Sequence, residues 1–117
     1  MPTLPLPPVP QRLREMLKDY PKHLDRLQEV LNQSVQESMK GELIPFDMAI
    51  WALEDELGSF IDEARSELRA AEASGDVVAI TAAEAKENLM SRAIWKHRWL
   101  GDAEFRGYFE KNQGAFK

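Results

Sequence analysis

The stretch "PFDMAIWALEDELGSFIDEARSELRAAEASG", residues 45 to 75, constrains this chain more than any other part of it. After its opening proline it holds nothing that stops a helix until Gly75. Ile50, Leu53, Leu57, Phe60, Ile61, Ala64, Leu68 and Ala71 recur mostly at steps of three and four, a nearly heptad apolar stripe. The spacing predicts a helix from Pro45 to about Ser74, some ~45 Å long. A rod of that length in a 117-residue chain needs a second helix beside it. "ASGD" provides the return: Gly75 suits a left-handed stop and Asp76 the next N-cap. A fourth helix is expected over Val77 to Leu100. Val78, Ala82, Ala85, Leu89 and Ala93 form its inner face, broadened by Ala79, Ala83, Met90 and Ile94. So short a link forces the two helices antiparallel. Gly58 weakens the long helix by about 1 kcal/mol relative to Ala. Its small size suits close approach by another helix.

Upstream, residues 2–10 hold five prolines and favour an extended polyproline II arm. Pro7, Pro10 and Arg12 spell PxxPxR, the spacing that SH3-type grooves read. Leu4, Leu6 and Val9 also make an apolar strip. It is expected to lie on its own bundle, over Trp51 or Trp95, in preference to a disordered lead-in or capture by a partner. A first helix, about Val9 to Tyr20, carries Leu13, Met16, Leu17 and Tyr20 on one side. Pro21 opens a second, with Asp19 or Tyr20 at its cap, running to about Lys40 before Gly41. Its stripe is Leu24, Leu27, Leu31 and Val35, with Val30 and Met39 on the flank. Beyond Gly101, Asp102 can cap a short fifth helix bearing Phe105, Tyr108 and Phe109. The expected fold is all-α: an irregular four-helix bundle built on a long antiparallel hairpin, residues 45–100, with a short C-terminal fifth helix. One domain, residues 11–112, lies between the proline-rich arm at 1–10 and a flexible tail at 113–117.

The chain has no cysteine, which excludes disulfides, thiolate zinc sites and cysteine nucleophiles and fits a reducing compartment. No apolar run approaches the roughly 18 residues of a membrane span. The N-terminus lacks the pattern of a secretory signal, so a cytoplasmic location is expected. Charge is uneven. Residues 1–40 carry six Lys/Arg against five Asp/Glu, a net +1. Residues 41–87 carry three against twelve, a net −9. Residues 88–117 carry six against three, a net +3. An acidic middle followed by a basic end favours antiparallel self-association or an oriented partner.

The most informative candidate site is "SRAIWKHRWL", residues 91–100. On a helical wheel Trp95 and Trp99 fall one turn apart, on the side of Asn88 and Arg92 and away from the Leu89/Ala93 face, with Lys96 nearby. Trp51 sits roughly 130° from the centre of its helix's stripe, close to Met48. These indoles need either the N-terminal helices or another protein over them, and Trp with Arg dominates interface hot spots. Trp51, Arg92, Trp95, Lys96 and Trp99 are therefore the expected partner-binding residues. The expected function is a small non-catalytic protein–protein interaction module, an adaptor, neutraliser or chaperone-like binder. Its partner is another protein or a second copy in a homodimer.

Two alternatives stand beside it. Arg92, Lys96 and Arg98 form a short basic aromatic segment suited to an anion or nucleic acid, although a net acidic chain lacks the usual footprint of a nucleic-acid binder. Glu56, Glu63 and Glu67, with Glu84 or Glu87, suit a metal-dependent all-α nucleotide hydrolase. The EExxE and ExxD motifs of all-helical nucleotide pyrophosphohydrolases are incomplete here. Leu57 and Gly58 follow Glu54 and Asp55, and Glu84 and Glu87 lack the second motif's Asp. The simpler expectation for this acidic face is solvation with i,i+3 pairs such as Asp62–Arg65 and Arg69–Glu72. His23 and His97 stand far apart in no ligand pattern, no glycine-rich phosphate loop occurs, and no serine has a nearby His–Asp context. No catalytic constellation, metal or cofactor is expected.

Overall fold

Local chemistry sets most helix ends. Pro21 and Pro45 each stand in the first turn of a helix, where the missing N–H costs nothing. Gly75 takes the left-handed conformation at φ 71° after the long helix. Asp76 then accepts hydrogen bonds from the N–H groups of Val78 (3.0 Å) and Ala79 (3.4 Å). The computed structural model describes residues 5–39, 44–96 and 99–112. Among these it has five helices and no strand: α1 (Gln11–Met16), α2 (Pro21–Ser38), α3 (Pro45–Ser74), α4 (Val77–Ala93) and α5 (Ala103–Lys111). The all-α hairpin bundle read from the sequence is the observed fold.

Helix α3 is the spine, with α2 and α4 packed along it. The molecule measures 55 × 23 × 22 Å, elongated along the 30-residue α3. Helix α2 runs back along α3. The Ser38 hydroxyl meets Met48 Sδ at 3.3 Å near one end, and Arg26 grips Glu56 and Glu63 towards the other. Leu13, Leu17, Leu27, Leu31, Leu53, Leu57, Phe60, Met90 and Phe105 are fully buried in a single core. Phe46, Phe105 and Phe109 close it in an aromatic cluster with ring centroids 5.4–5.7 Å apart. Beyond Glu67 the hairpin outruns α2, and Val77 and Val78 are exposed at its tip.

Four expectations need correction. Helix α1 is shorter than Val9 to Tyr20, because Pro10 stands at its N-cap and Pro21 excludes helical geometry at Tyr20. Of the expected inner face of α4, Val78, Ala82 and Ala85 are exposed, while Ala93 and, from its flank, Ala83 and Met90 are buried. Alanines all around this helix leave little hydrophobic contrast to orient it. Helix α4 also ends at Ala93 rather than Leu100. Gly58 admits no close helix: a Cβ placed there would meet nothing within 4 Å.

Residues 5–10 of the proline arm pack on their own bundle, against α2 and α5 rather than over Trp51 or Trp95; of the expected apolar strip Val9 is buried, Leu6 is 69% exposed and Leu4 lies outside the described residues. Pro7, Val9 and Pro10 are buried. The Gln28 side-chain amide donates to the Pro7 carbonyl at 2.7 Å, and the Tyr108 hydroxyl to the Pro5 carbonyl at 2.6 Å. Reading by an SH3-type groove would therefore require the arm to detach. Asp102 joins the arm's end to α5. One carboxylate oxygen caps Phe105 N–H and the other accepts from Gln11 N–H, both at 2.8 Å. The expected Gly41 stop and the tail at 113–117 lie outside the described residues.

Candidate interaction surface

The three tryptophans divide. Trp99 is 1% exposed. After Ile94 caps α4 the chain turns, and the Trp99 indole folds back so that Nε1–H donates to the Ala93 carbonyl at 3.0 Å. A carbonyl left without a partner at the helix end thus gains a donor, and the ring fills the core. Trp99 is not a partner-binding residue. The wheel that paired it with Trp95 presumed a helix that had already stopped.

Trp51 and Trp95 remain 52% and 48% exposed. Trp51 projects from the outer side of α3, away from the stripe of Ala49, Leu53, Leu57 and Phe60 that faces the core. On one side of it lies an open groove of about 340 Å³ between α2 and α3. Val30, Met48, Trp51 and Ala52 supply its apolar lining, and Glu37, Asp55 and Glu56 its charges; among the described residues no Lys or Arg lines it. Asp55 and Gly58 follow Trp51 at i+4 and i+7, so the open space over Gly58 continues the same face. On the other side, one turn along, Glu54 pairs with Lys96 at 3.5 Å. That ion pair and Arg65–Glu87 at 3.4 Å form a seam between α3 and α4. Trp95 and the exposed Arg92 follow beyond the seam. The Glu54–Lys96 pair thus links the Trp51 end of α3 to the segment that carries the exposed Arg92 and Trp95, while Trp99 is withdrawn into the core.

The other candidates resolve differently. Arg26 holds Glu63 in a two-pronged pair at 2.7 and 2.8 Å and also donates to Glu56 at 2.8 Å, with its guanidinium 4.7 Å from the Phe60 ring centre. These hydrogen bonds hold the Glu63 carboxyl below the usual carboxylate range and push the Arg26 guanidinium further up. Lys86 binds Glu67 at 2.8 Å. Glu56, Glu63, Glu67 and Glu87 are thus bound by cations from neighbouring helices, and among the described residues no group of three His, Asp or Glu could hold a metal ion. The predicted i,i+3 partners also differ: Arg65 reaches across the hairpin to Glu87, and Arg69 donates to Ser66. In the basic segment, Arg92 Nε bonds the Asn88 carbonyl at 3.4 Å and Lys96 is paired with Glu54, while His97 and Arg98 lie outside the described residues.

His23, expected from the sequence to have a surface role, is partly buried instead. His23 packs 4.3 Å from the Phe60 ring centre and 5.5 Å from that of Tyr20, and its buried Nε2 has no hydrogen-bond partner among the described residues. Burial, then the nearby Lys86 and Arg26 cations, lower its pKa below 6.5, against a weaker opposite pull from Glu63 and Glu67.

No protein-family model matches the chain, and neither a curated protein nor a solved structure does so. Among the described residues no helix is long and apolar enough to cross a membrane.

Proposed function

We propose that this protein is a non-catalytic helical module that works by protein–protein contact through the outer side of its hairpin. The observation that carries the reading is the half exposure of Trp51 and Trp95 in a chain whose core is otherwise well filled. An indole left in water forgoes about half of its burial free energy, and an aromatic beside arginine is the commonest anchor of a binding surface. Trp51 and Trp95 act as anchors, with Arg92 and Lys96 as charged orienters. The partner is a protein, a second copy of this chain included. The cysteine-free sequence fits a reducing, cytoplasmic setting.

Trp51→Ala and Trp95→Ala test this. Both variants are expected to keep the far-ultraviolet circular dichroism of the parent while losing association, measured by sedimentation and by co-purification from the source cells. Association that survives both changes would refute the reading.

A further inference from the structure

Two features of the outer side complement each other. The α2/α3 groove is apolar at Val30, Met48 and Trp51 and carries the exposed Asp55 carboxylate, and among the described residues no Lys or Arg lines it, although Arg26 holds Glu56 from outside. Across the Glu54–Lys96 seam stands an edge of opposite character, with Arg92, Trp95 and Lys96. The sequence from Asn88 to Gly101 has no carboxylate. Acidic groove and basic aromatic edge thus lie side by side on one surface.

Adjacency of complementary patches has a symmetry consequence. A two-fold axis lying in the plane of the surface and passing between them brings each patch onto the other in the second copy, making both contacts at once. From this we infer that the groove of one copy receives the Arg92–Trp95–Lys96 edge of another, in a two-fold homodimer. The inference rests on the contact function proposed above and names its partner. Trp95 enters the apolar groove near Trp51 and Met48, Arg92 meets the Asp55 carboxylate, and the open space over Gly58 lets the second backbone come close. The charge pairing sets the orientation, and burial of the two indoles supplies most of the affinity.

A charge exchange in the full-length chain tests it by sedimentation velocity over a range of concentrations. The parent is expected to dimerise. D55K alone faces lysine against arginine at both contacts, and R92E alone faces aspartate against glutamate; each is expected to raise Kd by ~10-fold or more. An equimolar mixture of D55K and R92E restores both contacts as Lys–Glu and Arg–Asp, so a heterodimer forms where neither variant pairs alone. Both substitutions are on exposed positions, and circular dichroism checks that each variant folds.

A dimer indifferent to both changes, or a mixture no better than its components, would place the interface elsewhere. A parent that stays monomeric at every concentration overturns the second copy as occupant. If that monomer shifts its Trp51 emission on titration with a helical model peptide of leucine and lysine, the groove belongs to a foreign basic segment. In that case the contact function survives and only this partner is lost. Failure of the Trp51→Ala test overturns the function itself.

Discussion

Truncating Trp99 separates its role from that of the other two indoles. Trp99→Ala removes a 1% exposed indole and its hydrogen bond to the Ala93 carbonyl. Truncation of a large buried aromatic costs about 3–5 kcal/mol, through lost transfer free energy and the cavity left behind. A chain of this length unfolds with an entropy near ~0.25 kcal/mol/K, so each kcal/mol moves Tm by ~4 °C and the expected loss is about 12–20 °C. Trp51→Ala starts from an indole half in water and leaves no closed cavity. Its cost is at most about 2 kcal/mol, a fall in Tm below ~8 °C. Thermal melts followed by circular dichroism compare the two without depending on tryptophan fluorescence. If Trp99→Ala lost no more than Trp51→Ala, the assignment of Trp99 to the core would be refuted, and with it the division of the tryptophans on which the proposed surface rests.

Two smaller perturbations probe the frame. At concentrations where the chain is monomeric, Gly58→Ala adds a methyl into open space on a helix interior and is expected to raise stability by ~1 kcal/mol, or Tm by ~4 °C; a loss there would mean that something other than a second copy covers this face. His23 stays neutral in the fold below the pH at which it charges in the unfolded chain, so the unfolded state binds the extra proton. Stability is therefore full above about pH 6.5 and declines as pH falls below it, towards the lowered native pKa. His23→Phe removes this part of the decline; identical pH profiles of Tm would refute the assignment.

Much of the fold was legible because its signals are local. Helix α3 follows from a proline, a stripe at steps of three and four, and a glycine that can take positive φ. Those features act within a turn of where they stand. The same holds for Asp76 and Asp102 as caps, whose carboxylates reach N–H groups two or three residues away. The candidate surface was legible in part. Trp51 could be placed on the outer side because the α3 stripe is strong, and Trp95 was found exposed as well. Trp99 could not be placed from the wheel, because helix α4 stops six residues before it and the sequence alone shows no stop until Gly101. What ends the helix is a core able to receive the indole and a carbonyl ready to accept its N–H, both assembled from distant segments.

The sequence by itself thus determined the helices of the hairpin, the turn between them and the apolar side of the spine, since each depends on neighbours within a few residues. Tertiary structure alone decided which side of the alanine-rich α4 turns inward, which carboxylates Arg26 and Lys86 bind, and which two indoles stay at the surface. Each of these depends on the register and rotation of one helix against another. Energy differences of that kind come from contacts between residues tens of positions apart, and no local pattern records them.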